Sequence, residues 1–123
     1  MLSGEFQITH WQETTEKTFS DGRKQTLAKV NQTYSGDIIG TSELLYQMHY
    51  SANGNAIFIG LETLTAQIQN KNTELVIKHC GTFKQGIASS DFEIIECLTQ
   101  ANLMGKKGQF TSTSEGKANY QLL

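Results

Sequence analysis

The tightest constraint in this chain is the stretch of residues 53–83, NGNAIFIGLETLTAQIQNKNTELVIKHCGTF, which reads with a side-chain period of two as two long strands joined by a polar turn. That period belongs to strands and does not fit the 3.6-residue repeat of an amphipathic helix. In residues 56–68 one alternating set holds Ala56, Phe58, Leu64, Ala66 and Ile68, and the other holds Ile57, Ile59 and Leu61. With both sets apolar, this strand is expected to be covered on both sides over its first half. Residues 74–83 alternate cleanly, Leu75, Ile77, His79 and Phe83 against Glu74, Val76, Lys78 and Cys80, which sends one face to a core. Between the runs, Asn70-Lys71-Asn72 tolerates left-handed backbone angles and predicts a tight hairpin, so the two strands are antiparallel.

Two polar residues interrupt the inward sets, Glu62 in the first strand and His79 in the second. A carboxylate or imidazole taken out of water needs a partner. A turn centred between Asn70 and Lys71 sets Glu62 directly across from His79 on the neighbouring strand, within reach of contact. Such a pair orients the ring and forms a usable acid/base arrangement where a cavity gives access. The structural alternatives are an ion pair inside a filled barrel, satisfaction of each group by backbone, or a bulge that turns it to solvent.

The rest of the chain reads as partners for this hairpin. Residues 4–11 alternate Phe6 and Ile8 with Gln7 and Thr9 as a first strand, and the polar stretch 12–18 reads as a loop or an exposed strand extension. Asp21-Gly22 supplies a turn into a weakly patterned or bulged second strand at residues 23–34, marked by Leu27 and Val30. Residues 38–50 place Ile38, Leu44, Tyr46, Met48 and Tyr50 on one face and Glu43, Gln47 and His49 on the other, before the Asn53-Gly54 turn. Further strands are expected at residues 91–98, 108–113 and 118–123. About eight strands, frequent turn signals and no helical stripe predict an all-β antiparallel fold, with no helix longer than about two turns. Closure into a meander barrel leaves no edge to aggregate and is the expected form.

Composition narrows the function. At 123 residues the chain makes one domain, and ten basic against twelve acidic residues, with no basic run beyond Lys106-Lys107, leave no electrostatic footprint for nucleic acid. No apolar run is long enough to span a bilayer and the N-terminus lacks the pattern of a signal peptide, so a cytoplasmic protein without a membrane partner is expected. Cys80 and Cys97 are expected to be free thiols, and they do not form a zinc site, so no metal or cofactor is implied.

Several segments together carry a family likeness: GEFQITHWQE at residues 4–13, YSGDIIG at 34–40, FIGLETL at 58–64 and KHCGTF at 78–83. Through them the chain resembles, nearly end to end, the bacterial family known as domain of unknown function 3224, grouped with the allene oxide cyclase-like barrels. LMGKKG at residues 103–108 looks like that family's Leu-x-Gly-x-x-Gly, and residues 120–122 look like its closing strand. The resemblance implies a single antiparallel, calycin-like barrel and no established activity. Trp11, Asp37, Glu62 and His79 match its motifs. Family members usually carry Ser-Gly-Thr-Gly-acid before the Leu-x-Gly. Here the same place reads Leu98-Thr99-Gln100-Ala101-Asn102, so a function resting on that glycine loop or carboxylate has no counterpart residues.

The leading expectation is a barrel that binds a small apolar or amphipathic ligand, with Trp11, Tyr46 and Tyr120 among the aromatic side chains available to line a cavity. The competing class is an enzyme, cyclase- or isomerase-like or an acid-catalysed hydrolase, with Glu62 and His79 as acid and base and Asp37 in support. For Asp37, which follows Gly36 at a strand start, the structural alternative is capping of nearby backbone N–H groups. A third class is a homodimeric interaction module with no ligand. A cavity of a few hundred cubic ångströms, opening on Glu62, separates the first two from the third.

Overall fold

The computed structural model describes residues 1–123 and is built from β1 (Leu2–Thr18), β2 (Lys24–Gly36), β3 (Ile38–Tyr50), β4 (Ala56–Ile68), β5 (Lys71–Lys84), β6 (Ile87–Glu96), β7 (Lys107–Ser112) and β8 (Lys117–Leu122). Each strand pairs antiparallel with the next, and β8 returns to pair with Leu2–Gln7 of β1, so the meander closes into a barrel as the alternation predicts. The one helical element is a short 3-10 turn, Ala101–Leu103. Both cysteine thiols are free, and no helix is long and apolar enough to cross a membrane.

The inward set of β4, Ala56, Phe58, Glu62, Leu64, Ala66 and Ile68, is buried throughout. Its outward set departs from expectation. Ile57, Ile59 and Leu61 are 59%, 51% and 53% exposed, not covered. The barrel wall is a single layer, so its one core lies inside and nothing packs on the outer face of β4. Isoleucine in that face reflects the fit of branched side chains to a pleated surface rather than a second core.

The hairpin that joins β4 to β5 also turns one residue earlier than Asn70-Lys71-Asn72 suggests. Gln69 and Asn70 both take positive φ, 54° and 62°, in a two-residue turn whose twist matches the flanking strands. Lys71 and Asn72 then extend β5, pairing with Ile68 and Gln67. Asn53-Gly54 lies within a longer loop, residues 51–55, closed by the Ser51 N–H donating to the Asn55 carbonyl at 2.8 Å. The polar stretch 12–18 is a strand extension: beyond Gln7, β1 continues to Thr18, paired with β2 and exposed.

Several aromatic rings lie flat across glycines on the neighbouring strand. Gly60 stands opposite Tyr46 and Gly81 opposite Phe58, and a Cβ at either would come within 2.6 Å and 2.5 Å of the ring. These glycines let large rings occupy the narrow interior. Burial separates the two faces of β4 in energy. Leu64→Ala, at a fully buried site, should cost about 2–5 kcal/mol, whereas Ile59→Thr should change stability by less than about 0.5 kcal/mol. Urea unfolding of both variants checks this, and a large loss at Ile59 would mean that the outer row is covered.

Candidate functional site

The two ends of the barrel differ because the chain fills one and not the other. At the end where β4 finishes and β5 begins, the segment around the 3-10 turn folds inward. Gln100 is buried and its Nε2 donates to the Ile68 carbonyl at 3.1 Å and to Thr73 Oγ1 at 2.6 Å, while Leu103 and Cys97 pack beneath. This stretch serves as a plug. Tyr120 also belongs to this half. Its hydroxyl accepts from the Ile38 N–H at 2.9 Å and donates to the Ser35 carbonyl at 2.8 Å, fastening the β2–β3 corner.

The opposite end is open. A cavity of about 360 Å³ enters the barrel there, walled by Phe6, Trp11, Tyr46, Phe58, Phe83 and Phe110 among others. At its rim Glu13 accepts from Thr26 Oγ1 and the Tyr50 hydroxyl, each at 2.6 Å, and from Trp11 Nε1 at 3.0 Å. Partial burial pushes the Glu13 carboxyl up, but the three donors outweigh it and hold the pKa below the usual value. For Tyr50, burial and then the hydrogen bond to Glu13 push the phenol up. Trp11 and Tyr46, whose rings lie 6.5 Å apart, therefore line the cup, and Tyr120 does not.

Further into the barrel lies the pair singled out by strand phase. His79 Nε2 donates to Glu62 Oε1 at 2.7 Å, and the Tyr34 hydroxyl donates to Oε2 at 2.6 Å. On its other side the imidazole Nδ1 lies 3.2 Å from Ser90 Oγ, which itself donates to the Asp91 carbonyl. The contact does not arise by direct opposition. The earlier turn pairs Glu62 with Ile77 and His79 with Gly60, so the two side chains meet on the diagonal. Glu62 and His79 are 0% and 2% exposed. Tyr46 and Phe110 pack on the imidazole at ring separations of 5.9 and 5.6 Å, and the void beside it is about 10 Å³, roughly the room of one water. Glu62 and His79 are not part of the cup wall.

Asp37 is not brought to this pair. It is exposed at the plugged end, where its Oδ2 accepts from the Ser3 N–H at 2.8 Å, the capping role that a residue after Gly36 performs. No group of three or more His, Cys, Asp or Glu side chains converges to hold a metal ion. Sequence reasoning missed Glu13 and Gln32 as cup residues. For Gln32 the signal was present: it falls in phase with Ala28, Val30 and Tyr34, the inward set of β2.

Such a chain is one of the single-layer meander barrels, closed by the pairing of its last strand with its first. Its family is also plain, since the sequence profile described as "Protein of unknown function (DUF3224)" matches residues 2–123 and the chain belongs to that family. A crystal structure of a protein with unknown function from the same family, from Shewanella oneidensis MR-1, is similar with a TM-score of 0.70 at 18% identity, covering 98% of this chain and 92% of that one. A more distant likeness, TM-score 0.56 at 12% identity, is to a structure described as an enzyme from Penicillium herquei, covering 100% of this chain and 96% of that one. Identities this low establish shared fold alone. A search of curated proteins finds no match.

Burial and then the Glu62 charge push the phenols of Tyr34 and Tyr46 well above their ordinary value. Because their folded pKa exceeds the unfolded value of about 10, the unfolded chain loses these protons first; the contribution to stability is full below that pH and is lost as pH rises above it. Phenolate absorbance from these two residues should therefore develop only as the fold melts. Gradual ionisation near pH 10 with the circular dichroism intact would contradict the burial. Tyr34→Phe, which strips one donor from a fully buried carboxylate, should cost about 1–3 kcal/mol in urea unfolding. Glu62→Gln should cost a similar amount, and the double variant should lose less than the two single losses combined.

Proposed function

We propose that this protein binds one small, largely apolar or amphipathic molecule in the open cup, without turnover. The observation that carries this reading is the cavity itself: about 360 Å³, walled mainly by aromatic and aliphatic side chains and closed below. That volume lies at the small end of the range for ligand sites. At about 30 Å³ per water-sized group it takes roughly a dozen non-hydrogen atoms. Edge-on and stacked rings favour a flat guest. Glu13, its oxygens already engaged by three donors, holds the β1 extension at the mouth rather than offering a free charge.

The competing reading, an enzyme using Glu62, His79 and Asp37, draws support from the buried carboxylate–imidazole pair and from the Penicillium herquei neighbour described as an enzyme. Against it, Asp37 lies at the plugged end, and His79 meets the rings of Tyr46 and Phe110 instead of the cup. A general acid or base must come within hydrogen-bond reach of the reacting group.

Binding is tested with a fluorescent guest of the cup's size, 1-aminonaphthalene, which has about eleven non-hydrogen atoms. The native protein should bind it saturably at one site per chain. Ala88→Trp, which places a large ring in the cup wall, should weaken binding at least tenfold with an unchanged circular dichroism spectrum. Unaltered binding in that variant would move the site out of the cup and sink the proposal.

A further inference from the structure

One residue of the cup wall carries a buried side-chain oxygen with no partner. Gln32 projects inward from β2, is 3% exposed, and its side-chain oxygen Oε1 makes no hydrogen bond. It pairs in register with Ile8 of β1 at the edge of a bulge and with Ser42 of β3. Ser42 Oγ is likewise buried and unpartnered, so the two do not satisfy each other. An acceptor removed from water with nothing to accept is costly, and an aliphatic residue would suit the Ala28, Val30, Tyr34 row better. A cup that bound apolar guests by shape alone would have no use for it.

We propose that Gln32 is the specificity-determining residue of the cup, accepting a hydrogen bond from a neutral hydroxyl or N–H group at the inner end of the ligand; this rests on the cup being a ligand site. The donor is neutral because the charged groups of the cup wall, Glu13 and Lys117, are not buried, so a charged inner end would have no counterion beside it. The aromatic wall selects the body of the molecule. Together they describe a compact, flat, apolar ligand with one donor that enters first. Guests of the same shape without a donor leave Oε1 unpaired, and this is the kind of difference by which polar sites discriminate strongly.

The test compares 2-naphthol, which carries the donor, with its methyl ether, which does not, by calorimetry and by the shift of the Trp11 indole N–H signal in NMR. The native protein should prefer 2-naphthol by about tenfold or more, the effect of satisfying one buried acceptor. Gln32→Leu should reduce the preference to within about twofold, chiefly by weakening 2-naphthol, and Gln32→Met serves the same end if the first variant folds poorly. Ser42→Ala, which removes the unpartnered oxygen outside the cup wall, should leave the preference intact. Equal binding of both compounds to the native protein, a preference that survives loss of Gln32, or one that vanishes with Ser42→Ala would overturn the role of Gln32 while leaving the cup a ligand site. If neither compound binds the native protein, the cup reading falls and the role of Gln32 with it.

Discussion

A carboxylate with no access to water must be met by donors, and much of the middle of this barrel is arranged around meeting Glu62. The donors come from two strands, Tyr34 on β2 and His79 on β5, while Glu62 itself stands on β4. Ser90 on β6 braces the far side of the imidazole. Four of the eight strands are thereby fixed relative to one another by directional bonds rather than by fit alone. A slip of one residue in any of them would send its whole inward set to solvent and break at least one of these bonds. Buried ionic groups are a weak source of net stability; their better-supported use is to single out one arrangement among near alternatives.

The aromatic rings divide the interior into a filled part and an open part. Rings that lie over glycines pack the barrel without spreading its strands, and Tyr46 and Phe58, each set against a glycine, are at once cup wall and close-packed core. Packing of Tyr46 and Phe110 on the imidazole is also what keeps Glu62 and His79 apart from the cup. The same side chains thus shape a cavity and insulate a charge. The plug around Gln100 completes the division by closing the far end of the barrel.

Much of this was legible in the sequence, and the gaps have physical causes. The bounds of β3 and β4 follow from alternation and turn residues, and Glu62 and His79 stand out because each is polar in an otherwise apolar phase. Their register was displaced because Gln69, an ordinary residue, takes the left-handed conformation alongside Asn70, where the pattern had centred the turn on Asn70-Lys71-Asn72. Covering of Ile57, Ile59 and Leu61 was inferred from hydrophobicity alone, which cannot separate a second core from a row of branched residues on an open sheet. The inward phase of β2 was obscured by Leu27, which faces outward, and so Gln32 did not stand out. Tyr46 and Tyr120 carry the same side chain in similar strands; only the tertiary arrangement puts one in the cup and the other against the β2–β3 corner.

Closure of the ring sets the order in which this chain can fold. Seven of the eight pairings join strands adjacent in sequence, and the eighth brings Leu2 to Leu122. That last pairing closes a loop of nearly the whole chain and carries a loop entropy cost that no local hairpin bears. Before it forms, β1 and β8 are two unpaired edges on an otherwise assembled sheet, able to find each other or the matching edges of another molecule. Such a barrel is at its most vulnerable late in folding, when nearly all its hydrogen bonds are made and the seam is still open.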